Sequence, residues 1–230
     1  MLLVARDAAR LEAVASELSR PHRVDARILP ADLSLDDEIE RVALALEAER
    51  GAGVLVNNAG FGTKGRLHEI DTDTQVRMVR LHALAPMRLT RAVLPAMVGA
   101  RAGWVINVSS VAGFMHGPGN VNYCATKAYL TRFTQGLDTE LHGTGVVVQA
   151  LCPGFTHTEF HARMAMDKTT VWEPLWMDAE RVVDESIAAA DAGGPVVFIP
   201  GIRNRLIAML VRVLPHGVMR FGRQITRRVD

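Results

Sequence analysis

The sequence predicts an alternating α/β fold, in which helices cover both faces of a parallel sheet. Two observations support this prediction. Short runs rich in Val, Ile and Leu alternate with longer segments of helical period. These longer segments are also long enough to cross over from one parallel strand to the next. The 230 residues contain no internal repeat and no flexible linker, so we expect one domain at 1–201 followed by a distinct tail at 202–230.

The predicted strands are the short apolar runs, which are typical of strands buried on both faces. They lie at 2–5, 24–29, 54–57, 104–108, 146–151 and 196–199. The predicted helices lie between them, at 8–19, 35–50, 72–99, 122–142 and 179–191. In the third helix, apolar side chains recur at intervals of three and four and predict one buried stripe. That stripe consists of Met78, Leu81, Ala85, Leu89, Ala92 and Ala96.

Two segments depart from the alternation. Residues 155–178 carry large Phe, Met and Trp side chains without a clean period, and we expect them to form a mobile apolar lid. Residues 202–228 carry seven arginines among apolar side chains, with no acidic residue before Asp230. This tail is cationic and amphipathic, which suits peripheral contact with an anionic membrane. The alternative is a helix packed on its own subunit or on a second copy.

The composition excludes several classes of protein. With 26 basic and 25 acidic residues the net charge is +1, so nucleic-acid binding driven by charge is not expected. Two cysteines are too few for a disulfide scaffold or a four-cysteine zinc site, and we expect no metal. The first apolar run ends at Arg6, well short of a signal-peptide core. We therefore expect a cytoplasmic protein, with membrane association only through the tail.

The strongest chemical signal is the pair Tyr123 and Lys127 on a predicted helix. A spacing of four residues places the phenol and the ammonium on one face, about one turn apart. A nearby cation favours phenolate, so we expect a lowered Tyr123 pKa and acid/base chemistry at an alcohol oxygen. Tyr and Lys four residues apart also occur on ordinary helix faces, so the pair needs further support.

Polar or glycine-containing loops after three predicted strands supply that support. Ser110 ends the run 104–110, where its hydroxyl can hydrogen-bond a substrate oxygen, although Ser109 and Ser110 also suit a simple cap. The sequences Asn57-Asn58-Ala59-Gly60 and 152–158 follow two other strands. Each of these loops alone is compatible with ordinary turn chemistry. Because carboxyl ends of parallel strands share one sheet edge, together they indicate a ligand crevice.

These loops resemble those of the short-chain dehydrogenase/reductase family, over nearly the whole chain. The family's order and spacing are matched by Asn57-Asn58-Ala59-Gly60, Ser110, Tyr123 with Lys127, and Pro153-Gly154 with Thr158. The resemblance implies a Rossmann-type, doubly wound sheet and NAD(P)-linked interconversion of an alcohol and a ketone or aldehyde. In that chemistry Tyr123 is the acid/base, Lys127 lowers the Tyr123 pKa and binds the nicotinamide ribose, and Ser110 polarises the carbonyl.

The resemblance also implies cofactor contacts. Arg6 matches the family's contact to the 2′-phosphate, and Ala5 offers no acid for a free ribose diol, so NADP(H) is expected rather than NAD(H). The alternative for Arg6 is a solvated loop charge. Asp32 and Leu33 match the pair beside the adenine. The other implied contacts are Asn57, Ala59, Gly60, Tyr123, Lys127, Pro153, Gly154 and Thr158.

Two departures from the family pattern matter. His82 stands where the family usually has a catalytic Asn, and we expect it to organise a proton-relay water, although it can also titrate. The chain opens at what resembles the family's second strand, without the Gly-rich turn that holds the pyrophosphate. We therefore expect an incomplete form of the enzyme with an internal or misassigned start, exposed edges inside the sheet and weak cofactor binding.

Three functions follow from these observations. The first is an NADP(H)-dependent oxidoreductase acting on a small, apolar alcohol or carbonyl compound, since the segment 155–178 is apolar. The second is a catalytically impaired member of the family that acts as a binding module. The lack of the Gly-rich, phosphate-binding turn favours this function. The third is a membrane-surface module built on the tail. For the enzyme we also expect a homo-oligomer.

Overall fold

The computed structural model describes residues 1–49, 51, 53–116, 118–160 and 172–213. In this part of the chain the strands are β1 Leu2–Ala5, β2 Arg27–Pro30, β3 Val54–Asn57, β4 Gly103–Val108, β5 Val146–Leu151, β6 Phe155–His157, β7 Trp176–Asp178 and β8 Val197–Phe198. The helices are α1 Ala8–His22, α2 Asp36–Ala48, α3 Thr72–Val79, α4 Ala85–Ala100, α5 Val121–Glu140, α6 Ala179–Asp191 and α7 Ile202–Val213.

The predicted parallel sheet with helices on both faces is confirmed. Strands β3, β4, β5 and β8 pair in that order, and every pairing is parallel. Side chains alternate between the two faces, as the strand period requires. Val105 packs in a core cluster with residues of α4 and α5, whereas Ile106 packs in another with Val182 of α6. The near-continuous apolar runs of β4 and β5 are explained by this burial on both sides.

The sheet is divided between β1 and β3. Strands β1 and β2 form a separate two-stranded parallel sheet, and within the described residues β3 pairs only with β4. Within the described residues β3 is therefore an edge strand, as expected, and its Val54 and Val56 side chains are 58% and 53% exposed on one face of the sheet. A core cluster still connects the two sheets, because Val4 and Leu55 both pack against α2 and α4.

The predicted single helix over 72–99 is instead α3 and α4 joined by a π-helical turn at Arg80–Leu84. In this turn the Ala85 N–H donates to the Arg80 carbonyl, five residues back. The residue after Ala85 is Pro86, which has no N–H to donate to the His82 carbonyl. The proline thus explains the local widening, and the His82 side chain within this turn is buried, at 1% exposure.

The ends of the predicted lid are ordered. Residues 155–157 pair in parallel with residues 176–178 as β6 and β7, two strands that the sequence analysis missed. Trp176 is buried, whereas Trp172 is exposed. Residues 161–171 lie outside the described residues, as do 214–230 of the tail. Nothing in the described part of the chain is a helix both long and apolar enough to cross a membrane.

Candidate active site

A cavity of about 480 Å³ opens at the carboxyl ends of β3, β4 and β5. Its wall combines the loops after these strands with one face of α5 and one face of α6. Of the residues that the sequence indicated, it is lined by Gly60, Ser110, Tyr123, Lys127, Pro153, Gly154 and Thr158. The parallel topology explains the convergence, because all three loops leave the sheet at the same edge.

Ser110 and Tyr123 meet across this cavity. Ser110 precedes a 3₁₀ turn at Val111–Phe114, and its Oγ accepts a hydrogen bond from the Ala112 N–H at 3.1 Å. Burial raises the pKa of Tyr123 to about 12, although the hydrogen bond from Ser110 acts in the opposite direction. The expectation of a lowered Tyr123 pKa is therefore wrong, since desolvation outweighs the hydrogen bond from Ser110. Tyr123 is consequently a neutral phenol at pH 7.

Lys127 lies one turn after Tyr123 and is almost fully buried. Its Nζ donates to the Val108 carbonyl at 2.8 Å, which ties α5 to the end of β4. The same atom is 5.8 Å from the centroid of the Tyr123 ring. Burial lowers the pKa of Lys127 to about 8, so the ammonium still predominates at pH 7. The predicted Tyr–Lys juxtaposition is present, with the cation beside the phenol.

Gly113 sets the approach of the 3₁₀ turn to α5. A Cβ on Gly113 would lie 2.9 Å from the carbonyl carbon of Lys127 and 3.0 Å from the Ala128 nitrogen. Real Cβ atoms essentially never come so close to backbone, so this contact requires glycine. The tight packing fixes the turn, and with it Ser110, against the helix that carries Tyr123.

His82 is held by hydrogen bonds at both ring nitrogens. Its Nε2 accepts from the Phe61 N–H at 3.1 Å, so Nδ1 carries the ring proton. Nδ1 lies 3.0 Å from Thr126 Oγ1, and that hydroxyl donates to the Tyr123 carbonyl at 3.0 Å. Burial, followed by the positive charge of Lys127, lowers the pKa of His82 to about 2. His82 is thus a neutral link between the loop after β3 and the Tyr123 turn of α5.

The glycine beside this link is also closely packed. A Cβ on Gly60 would lie 2.9 Å from His82 Nε2 and 3.7 Å from Lys127 Nζ. Gly60 itself is exposed toward the cavity, so its backbone is open to a ligand. The position therefore offers a cradle for a group that approaches the main chain closely.

The Asn57 side chain lies in the core and does not line the cavity. Its Nδ2 donates to Asn107 Oδ1 at 2.8 Å and lies 3.3 Å from Thr90 Oγ1. Asn107 Nδ2 in turn donates to Thr134 Oγ1 at 2.9 Å. These buried amides join β3 and β4 to α4 and α5, as expected of amides that hold neighbouring strands. The adjacent Asn58 lines the cavity instead.

The residues predicted for the adenosine end lie beyond β1 and β2. Burial alone would raise the pKa of Asp32, but hydrogen bonds from Ser34 and the nearby charges of Arg6 and Arg77 hold that pKa below its ordinary value. Arg6 therefore lies in the neighbourhood of Asp32, at the carboxyl ends of adjacent strands. The Leu33 side chain is buried in the core, which leaves only its backbone for a ligand. Ala59 is exposed.

The sequence analysis missed part of the cavity wall. The residues that line the cavity but were not named as site residues include Asn58, Thr156, Phe160, Val182, Val183, Ser186 and Ile187. Four of these lie on one face of α6, where Val183 and Ile187 are 49% and 47% exposed. The spacing 182, 183, 186, 187 is the helical period, but it does not by itself distinguish a cavity wall from a core face.

A family model described as short chain dehydrogenase matches residues 1–169. The chain is 38% identical over 148 residues to nodulation protein G of Rhizobium meliloti (strain 1021), covering 64% of this chain and 58% of that protein. It is 33% identical over 192 residues to the NADP-dependent 3-hydroxy acid dehydrogenase of Schizosaccharomyces pombe, covering 82% and 73%. The chain spans little more than half the length of several curated relatives.

Solved structures share the fold. A short-chain dehydrogenase from Sphingobium yanoikuyae, in complex with NADPH, superimposes with a TM-score of 0.83 at 34% identity. The match covers 90% of this chain and 81% of that one. The likeness extends beyond the residues matched by the family model.

Proposed function

This chain belongs to the short-chain dehydrogenase/reductase family, and we propose that it is an NADP(H)-dependent oxidoreductase that interconverts an alcohol and a ketone or aldehyde. The observation that carries the proposal is the convergence of Ser110, Tyr123 and Lys127 on one cavity at the carboxyl ends of three parallel strands. A binding module needs no neutral phenol beside a buried ammonium. Acid/base chemistry at an alcohol oxygen, in contrast, requires a proton donor such as this phenol and a charge such as this ammonium to stabilise the phenolate.

Tyr123 acts as the acid in the direction of carbonyl reduction. Its raised pKa keeps the phenolic proton in place at pH 7, ready for transfer to the carbonyl oxygen. Ser110 hydrogen-bonds the phenol and stabilises the phenolate that the transfer leaves. The ammonium of Lys127, near the Tyr123 ring, favours the same charged state. NADPH supplies the hydride when it is bound.

The cofactor is held along the carboxyl edge of the strands. Gly60 offers a main-chain cradle next to His82 and Lys127, which suits the nicotinamide end. Gly154 also lines the cavity, at the carboxyl end of β5. Arg6, exposed beyond β1, suits the 2′-phosphate. The NADP dependence of the Schizosaccharomyces pombe relative and the NADPH in the Sphingobium yanoikuyae structure support this choice.

His82 acts as a positioning residue, in place of the proton relay that its place in the sequence suggested. Both ring nitrogens are engaged, and the low pKa keeps the ring neutral over the physiological range. The ring joins Phe61, beside the Gly60 cradle, to the turn of α5 that carries Tyr123. It thereby fixes the distance between the cofactor loop and the acid.

The substrate is an apolar alcohol or carbonyl compound. The cavity presents Val108, Leu151, Phe160 and Val182 around the polar group of Ser110 and Tyr123. Apolar walls with a few convergent polar groups are typical of sites for small apolar ligands. A panel of cyclic, aromatic and long-chain ketones with NADPH would identify the preferred shape.

Replacement of Tyr123 by Phe tests the assignment. It removes one hydroxyl and should lower the rate of NADPH-dependent ketone reduction by about 10²–10⁴-fold, with the fold retained. The matched control is Tyr129→Phe, because Tyr129 is the other tyrosine, lies on the same helix and is 42% exposed. A Tyr123→Phe protein that kept more than a tenth of the wild-type rate would exclude Tyr123 as the acid.

The divided sheet favours one alternative, a catalytically impaired binding protein. Within the described residues, β1 and β2, which are followed by the residues assigned to the adenosine end, are not paired with β3 beside the cavity. Thermal stabilisation by NADPH without turnover of any ketone in the panel would support this alternative. Stabilisation together with turnover would favour the enzyme.

A further inference from the structure

Helix α7 carries an apolar stripe on the side that faces away from the protein. Asn204 and Ala208 are buried, at 6% and 3% exposure, and attach the helix to the domain. The opposite side presents four large apolar side chains at helical spacing. These are Ile202, Leu206, Met209 and Leu210, with exposures of 66%, 58%, 64% and 58%. A contiguous apolar stripe of this kind marks an interaction surface, whereas scattered apolar residues do not.

An exposed tryptophan extends the stripe. Trp172 is 68% exposed, and the Arg203 guanidinium lies 6.0 Å from its ring centroid. Arg203 also donates to the Pro174 carbonyl at 3.0 Å, which connects α7 to the segment before β7. Tryptophan and arginine together are typical of residues that lie at the boundary between hydrocarbon and headgroups.

The charge of this end of the chain selects the partner. Residues 192–229 contain seven arginines and no acidic residue, whereas residues 1–191 contain 19 basic and 24 acidic residues. The Glu185 carboxylate lies near Arg205 of α7, but pairing of α7 with a second copy would still bring two segments with an excess of arginines together. Cover by residues 214–230 would add four further arginines to the same place. An anionic surface is the partner that satisfies both the apolar stripe and the excess positive charge.

We propose that α7 and Trp172 form a docking surface for anionic lipid bilayers, in which the apolar stripe enters the interface and the exposed Arg203 and Arg205 contact acidic headgroups. Helix α7 adjoins the cavity with the side opposite the stripe, since Asn204 packs directly on Gly154 of the cavity wall. Docking would therefore bring the cavity close to the lipid surface. The proposal is independent of the oxidoreductase assignment.

Vesicle co-sedimentation of the full chain tests the proposal. We expect binding to phosphatidylcholine vesicles that contain phosphatidylglycerol, and at least tenfold weaker binding to pure phosphatidylcholine or at high salt. The double variant Leu206→Glu/Leu210→Glu should lower the partition coefficient for anionic vesicles at least tenfold. The matched control is Leu44→Glu/Leu67→Glu, because these leucines are similarly exposed, at 55% and 53%, but lie elsewhere.

Analytical ultracentrifugation of the same proteins decides between lipid and self-association. The proposal requires that the Leu206/Leu210 variant keeps the wild-type oligomeric state. Dissociation of an oligomer by that variant, without vesicle binding by the wild type, would overturn the proposal and identify α7 as a subunit interface. Vesicle binding that is insensitive to phosphatidylglycerol and salt would overturn it too. If the variant fails to fold, the dependence of wild-type binding on lipid charge still gives the answer.

Discussion

Replacement of His82 distinguishes a positioning residue from a proton relay. The variant His82→Ala leaves the partly buried Phe61 N–H without its acceptor and removes the hydrogen-bond partner of the buried Thr126 hydroxyl. An unsatisfied buried group costs about 1–3 kcal/mol, and the lost side-chain volume adds to this cost. We expect a decrease of about 2–5 kcal/mol in the free energy of unfolding. His82→Asn, which retains a donor and an acceptor, should recover part of the stability and of kcat.

The pH dependence of stability gives a sharper test of the same residue. The native pKa of His82 is lowered to about 2. Between pH 6.5 and pH 2, His82 is therefore protonated in the unfolded chain but neutral in the native protein. Stability from this group is therefore complete above pH 6.5 and is lost as the pH falls toward 2. Lowering the pH from 7.5 to 5 should decrease the free energy of unfolding by about 2 kcal/mol through the protonation of His82 alone.

Urea denaturation at pH 5 and 7.5 measures this cost. The difference between the free energies of unfolding at pH 7.5 and pH 5 should be about 2 kcal/mol smaller in His82→Asn than in the wild type. His68→Asn is the control, because the His68 side chain is 76% exposed, and it should leave the difference unchanged. Equal pH dependence in the wild type and His82→Asn would refute a buried, neutral His82. A break in the wild-type rate profile between pH 6 and 8 that disappears in His82→Asn would instead support a relay.

The other predictions concern the turn, the cation and the phosphate contact. Gly113→Ala should push the 3₁₀ turn away from α5, and should therefore lower Tm and lower kcat at least tenfold. The control is Gly136→Ala, which lies in open space on α5 and should stabilise the helix by about 0.5–1 kcal/mol. Since the pKa of Lys127 is about 8, ketone reduction should decline above that pH, and Lys127→Met should abolish this break in a rate profile measured at saturating NADPH. Arg6→Ala should weaken NADPH binding by about 10–100-fold and NADH binding far less, as measured by fluorescence titration; equal losses would show that Arg6 does not contact the 2′-phosphate.

Local signals in the sequence were sufficient for most of the fold. Strands β1, β3 and β5 and helix α6 have the bounds that apolar periodicity predicted, because each is delimited by an abrupt change from apolar to polar residues. Residues 24–29 were less well placed, since β2 begins only at Arg27. Strands β6 and β7 were missed because a three-residue strand has no measurable period. Their pairing joins segments about twenty residues apart in the chain.

The loops that line the cavity were also predictable, because the topology of a parallel sheet brings the ends of its strands together. Ser110 could be assigned to the crevice without coordinates for this reason, whereas Tyr123 and Lys127, which lie on α5, were assigned to it through their spacing and the family resemblance. Asn58 and the α6 wall were not found, since a polar or apolar side chain at helical spacing is equally compatible with a core, a surface or a cavity.

The sequence by itself determined the α/β class, the order of most elements and the family resemblance of the reactive residues. Only the tertiary structure decided the electrostatics. The Tyr123 pKa is raised and the His82 pKa falls to about 2 because of burial, a property of the surrounding packing that residue spacing does not express. The tertiary structure likewise decided that the Asn57 amide forms its hydrogen bonds within the core and that the apolar stripe of α7 faces outward. Which groups lose contact with water depends on contacts between distant segments, and that dependence is why these properties could not be derived from the sequence.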